Sequence, residues 1–78
     1  MTPQDIHFYK MKWLPGFRVV VGEDSDISGK SWCRANLERH QWSFEKYTDM
    51  YEHSFRFEKE IDAINFSKFM NVDFDSTA

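Results

Sequence analysis

Within residues 54–70, SFRFEKEIDAINFSKFM, the chain changes its hydrophobic period abruptly. Phe55 and Phe57 alternate as in a strand with one buried face, whereas Ile61, Ile64, Phe66 and Phe69 recur as along one side of a helix. A strand that hands over to a helix in this way predicts a helix folded back across its own sheet. Glu58-Lys59-Glu60 stands at the junction, where acidic residues suit the positive end of the helix dipole. Ala63 is small enough to let the helix approach the strand. The expected buried stripe is Ile61, Ile64 or Asn65, Phe66, Phe69 and Met70, followed by a short extended piece at Val72 and Phe74. Residues 75–78 are expected to fray.

The same reasoning extends upstream. Trp42-Ser43-Phe44-Glu45 alternates towards Tyr47, Thr48-Asp49 marks a turn, and Tyr51, His53, Phe55 and Phe57 then share one face. Between Ile27 and His40, Cys33 and Leu37, joined by Trp32 and Asn36, define the buried side of an amphipathic helix. Arg34, Glu38 and Arg39 fall on its wet side, Asp24, Asp26 or Ser28 can cap its start, and Gly29 weakens its first turn. Residues 6–14 can be read as a strand with His7, Tyr9, Met11 and Trp13 on one face and Ile6, Phe8, Lys10 and Lys12 on the other. Leu14-Pro15-Gly16-Phe17 suits a type II turn into a β-branched strand ending at Val21. The expected architecture is therefore α+β: a four-stranded antiparallel sheet with two helices on one face, in ββαββα order, as a single domain over residues 1–78. A βαββα arrangement with one end strand detached is the nearest alternative.

Composition limits what such a domain can do. Its 78 residues contain one cysteine, Cys33, so no internal disulfide can staple the fold. Eight Phe, three Tyr and three Trp must supply the burial instead, at about 150–250 Å² for each ring. The lone thiol points to a reducing cytoplasm, and the start, MTPQDIHFYK, has neither the basic nor the apolar region of a signal peptide. The longest apolar run, Val19-Val20-Val21, is far too short to cross a bilayer. Residues 1–20 carry a balance of +2 and the remainder −5, which together give the net charge of −3.

The Phe55-x-Phe57 strand, the Asp62-Ala63 pair, Phe66 and the upstream Trp32 resemble a pattern found in small uncharacterised accessory proteins of tailed bacteriophages. The resemblance spans residues 32–70 and departs from that pattern at Asn71-Val72-Asp73, where a basic or Trp-bearing ending is frequent. It implies an accessory protein that acts inside a bacterium, and it transfers no functional residue.

No stretch has the spacing of a catalytic or cofactor motif. His7, His40, His53 and Cys33 lack the close sequence pairs that pre-organise a zinc site, so no metal and no cofactor is expected. Asp24, Asp26, Glu58, Glu60 and Asp62 sit where carboxylates cap helices rather than in apolar pockets that would raise their pKa values. Ser, His and Asp are all present, but no nucleophile elbow positions them. The chain is expected not to be an enzyme. Its aromatic excess suits a protein-binding module, with Tyr9, Trp13, Trp42, Tyr47 and Met50 as the candidate patch and a host protein as the partner. The alternative is single-stranded nucleic acid stacked on the sheet face and held by Lys10, Lys12 and Arg18, which the acidic balance disfavours. The Phe17–Val21 strand, charged only at Arg18, is also expected to be an unpaired edge able to form a weak homodimer.

Overall fold

A computed structural model describes residues 2–46 and 52–74 of the chain. Helix α1 spans Pro3–Trp13, strand β1 Phe17–Gly22, helix α2 Asp26–Asn36, strand β2 Trp42–Lys46, strand β3 Glu52–Phe57 and helix α3 Glu60–Met70. Short 3₁₀ turns at Glu23–Ser25 and Arg39–Gln41 lead into α2 and β2. The strands form a three-stranded antiparallel sheet in the order β1-β3-β2. The expected four-stranded sheet with two helices is thus overturned: the fold is α+β with three α-helices and three strands among the described residues.

The error lies in residues 6–14, which are neither a sheet strand nor a detached one. A capping box starts α1 immediately before them. The Thr2 hydroxyl accepts from the Asp5 amide at 3.1 Å, and the Thr2 amide donates to the Asp5 carboxylate at 3.3 Å. Pro3 occupies the first turn, where its missing N–H costs nothing. Asp5 near the start and Lys10 and Lys12 near the end both complement the dipole. Burial then follows a helical period: Ile6, Tyr9, Lys10 and Trp13 are half-buried, whereas His7, Phe8, Met11 and Lys12 are exposed. Alternation of aromatic and basic residues imitated a strand, but the cap decided the outcome. The Leu14–Phe17 turn consequently joins a helix to a strand. Gly16 has a φ of 63°, and a side chain there would strike the Phe57 carbonyl oxygen and the Trp13 ring.

Strand register sorts the sheet into two faces. Val19, Phe55 and Phe44 form one cross-strand row and Phe17, Phe57 and Trp42 the next, with Val21 and His53 on the same side. The opposite face carries Arg18, Arg56 and Ser43, then Val20, Ser54 and Glu45. Both α2 and α3 reach the aromatic face. Phe55, Phe57 and Phe66 are fully buried, with ring centroids 4.7 Å apart for Phe55–Phe66 and 4.9 Å for Phe57–Phe66. Complete burial of a phenylalanine side chain contributes roughly 1.5–3 kcal/mol.

The inward stripe of α3 is Ala63, Phe66 and Ser67, with Met70 half-buried, which rotates it away from the expected Ile61 and Phe69. Small residues on either side of Phe66 allow its ring to meet the sheet, and the Ser67 hydroxyl is satisfied by the Ile64 carbonyl at 2.7 Å. Asn71, in the left-handed conformation, ends the helix.

Gly29 explains how α2 comes so near. A Cβ there would lie 2.7 Å and 2.9 Å from carbons of the Phe55 ring and 3.1 Å from Phe66. The residue expected to weaken the helix is the slot that admits the ring. An ordinary helix-interior Gly→Ala change gains about 1 kcal/mol. Gly29→Ala should instead lower stability by about 1–3 kcal/mol through overpacking, read as a lower urea midpoint. A raised midpoint would contradict this packing.

Candidate interaction surfaces

The expected patch residues divide sharply. Tyr9, Trp13 and Trp42 gather at the corner where α1 meets the 3₁₀ turn and the start of β2, but they are engaged in packing there. The Trp13 indole N–H donates to the His40 carbonyl at 2.9 Å, and the Tyr9 ring meets the His40 ring edge-on at 4.8 Å. A hydrogen bond with Glu58, assisted by burial, raises the Tyr9 phenol above its ordinary pKa. Trp42 stacks on Phe55 with the planes inclined by 26°, and its indole nitrogen is buried with no hydrogen-bond partner among the described residues. Tyr47 and Met50 lie outside the described residues.

The nucleic-acid set is placed differently from expectation. Lys10 and Lys12 belong to α1 rather than to the sheet, and Arg18 stands on the face of β1 opposite the aromatic rows. That face holds no aromatic residue among the described ones, so bases would find no ring there to stack on. Its arginines are already engaged. Arg18 donates to Ser54 at 3.0 Å; Arg56 pairs with Glu45 at 3.2 Å and donates to the Pro15 carbonyl at 3.2 Å. These contacts offset the repulsion of two guanidinium groups in register across β1 and β3.

Four hollows mark the described surface, two of them beside α1 and the 3₁₀ turn around Ile6 and Arg39; the other two bear on binding. Along the outer side of α2, Ser28, Ser31 and Ala35 floor a hollow of about 480 Å³ walled by Ile27, Trp32 and Phe69. Ile27 is 78% exposed and Phe69 56%, although Trp32 packs within 6.2 Å of Phe69. In the sequence Ser28 stood out only as a cap candidate, and Ser31 and Ala35 not at all; only their i, i+3, i+7 spacing along α2 places them on one side. Phe69, expected in the buried stripe whose spacing it fits, stands exposed instead.

The second surface is a groove of about 520 Å³ lined by Lys10, Arg34, Arg39, Trp42, Ser43 and Phe44. Its cations come from α1, α2 and the 3₁₀ turn, and no carboxylate among the described residues lines it. The Lys10 ammonium lies 5.9 Å from the Trp42 ring centroid, and Lys30 stands 4.1 Å above Phe44. Burial, followed by the field of Arg39, holds the Lys10 pKa below its ordinary value. Arg34 and Arg39 were assigned only to a solvated helix side; their convergence with Lys10 requires three elements to meet.

Among the described residues no group of three His, Cys, Asp or Glu is arranged to hold a metal. His53 is buried, with Nδ1 3.8 Å from the Asp26 carboxylate and 5.3 Å between its ring and that of Phe44. No helix among the described residues is long and apolar enough to cross a membrane. Comparison with known proteins adds no relative: no family model, no curated protein and no solved structure matches the chain.

Cys33 lies wholly inside the core, where burial pushes its thiol up to about 12 and the nearby Arg34 only partly opposes the shift. The neutral thiol is thus favoured by folding. Its contribution to stability is complete below the ordinary thiol value of 9.0 and is lost as pH rises towards about 12. Native protein at mildly alkaline pH should leave Cys33 unlabelled by an aromatic disulfide reagent, with full labelling in denaturant. Rapid labelling of the native chain would contradict the burial.

Proposed function

We propose that this chain is a non-enzymatic module that binds another protein, and that it is a phage accessory factor modulating or inhibiting a host protein in the bacterial cytoplasm. The observation that supports protein binding is the apolar hollow on α2 and α3. Ile27 and Phe69 are large, exposed and adjacent to the half-buried Trp32, and they surround a floor of small side chains. Concave apolar surface with an aromatic wall is where interface energy concentrates, because water leaves it readily and a partner side chain can be fully enclosed. The phage assignment rests on the resemblance over residues 32–70.

Tagged protein incubated with nuclease-treated bacterial lysate should retain a stoichiometric protein partner. Phe69→Glu, an exposed substitution, should abolish that retention while leaving the urea midpoint nearly unchanged; Arg18→Ala should retain the partner. Equal retention by Phe69→Glu would refute the hollow as the binding surface. Loss of every partner on nuclease treatment would instead favour nucleic acid.

A weak homodimer through β1 belongs to the same proposal. Among the described residues β1 pairs only with the central strand β3, so its other edge can present backbone donors and acceptors to a second copy. Val19 is a core side chain at 1% exposure, so a proline there would disturb the core as well as the edge. Sedimentation of the unmodified chain avoids that ambiguity: a monomer–dimer equilibrium is expected at high micromolar concentration, and monomer alone would defeat the dimer.

A further inference from the structure

The groove beside β2 has an unusual combination of features. Three successive residues of one strand, Trp42, Ser43 and Phe44, all line it, although adjacent side chains of a strand point to opposite faces. Only the edge of a strand is accessible from both faces at once, so the groove runs along the edge of β2. Among the described residues β2 pairs with β3 alone, and no backbone hydrogen bond from another described segment reaches Trp42, Ser43 or Phe44, the groove's own residues. The groove therefore offers a row of strand donors and acceptors together with Lys10, Arg34 and Arg39.

These cations make no ion pair among the described residues, and they converge from three elements of a chain whose net charge is −3. Gathering like charges in one concavity is unfavourable until an anion fills it. We infer that the groove is a binding site for an extended acidic segment of a protein partner, added as a strand to β2 with its carboxylates against Lys10, Arg34 and Arg39. The backbone edge selects a polypeptide, since nucleic acid has no matching row of amides. The acidic body also repels a long polyanion more than a short segment with a few carboxylates. The Trp42 and Phe44 rings already carry Lys10 and Lys30, which leaves guanidinium and ammonium groups as the recognition elements. This inference rests on the protein-binding reading and assigns it a second, chemically distinct contact surface.

Fluorescence anisotropy with a short labelled peptide of alternating Asp and Val tests it on the full chain. Binding should appear at low ionic strength, fall as salt is added and be lost when Asn replaces Asp in the peptide. Arg39→Glu should weaken binding about ten-fold or more. Arg34→Ala, at another exposed position, provides the same test if Arg39→Glu does not fold, whereas Arg18→Glu should leave binding almost unchanged. Bound peptide should also slow hydrogen exchange at the outward amides of β2.

Equal binding of the Asn peptide, insensitivity to both groove substitutions, or no protection of β2 would each overturn the inference. So would no binding at low salt, or binding of labelled oligothymidylate in place of the acidic peptide. If Arg39→Glu still captures the lysate partner while Phe69→Glu loses it, protein binding stands and the groove assignment fails.

Discussion

The fold depends on the burial of one ring. Phe55 occupies the middle of the central strand, with Val19 and Phe44 beside it in register, Gly29 of α2 directly against its outer edge and the Phe66 ring of α3 tilted against it. A side chain of that size on β3 could be covered only by two helices, one of which must lack a Cβ at the crossing. The fixed positions of α2 and α3 follow from this contact. Phe57 and Cys33 then complete a continuous apolar interior with Val19, Val21 and Ala63. A domain without disulfides gains its order from this interdigitation, since voids or excess atoms near fully packed rings both reduce stability.

The same contact determines what is left outside. With three strands among the described residues and β3 in the centre, both β1 and β2 are edges of that sheet. With α2 and α3 directed at the aromatic face, the opposite face is left to Val20 and the polar Arg18, Arg56, Ser43, Ser54 and Glu45, where Arg18 bonds Ser54 and Arg56 pairs with Glu45. No residue of α1 is fully buried. The helix serves the surface more than the core: Trp13 and Tyr9 fasten it to His40, and that attachment carries Lys10 to the edge of β2. The cationic groove is thus a product of how α1 docks, and the apolar hollow is a product of α2 turning Gly29 and Cys33 inward and its opposite side out.

Much of the core was legible in residue order. The period change after Phe57 marks β3 and α3, the Cys33–Leu37 spacing marks α2, and the β-branched run marks β1. Residues 6–14 misled because aromatic and basic residues alternate there, yet Thr2-Pro3-Gln4-Asp5 carried the decisive local signal: one reciprocal cap fixes a helix start more firmly than alternation fixes a strand. The choice of Phe66 over Phe69 as the buried ring was not legible, because both fit a helical stripe and only the position of Phe55 distinguishes them. Tyr9, Trp13 and Trp42 were singled out for their type and are indeed gathered in space, but as the joint that holds α1. Arg34 and Arg39 were passed over, since a groove assembled from separate elements leaves no mark in local spacing.

Through-space contacts of the Phe55 ring provide the most direct measurement. In a nuclear Overhauser spectrum of selectively labelled protein, the ring protons of Phe55 should show strong cross-peaks to the Gly29 α-protons and to the Phe66 ring, with cross-strand peaks to Val19 and Phe44. Absence of the Gly29 peaks, or strand-type backbone contacts between residues 6–14 and β1, would contradict the three-stranded core on which both proposed surfaces depend.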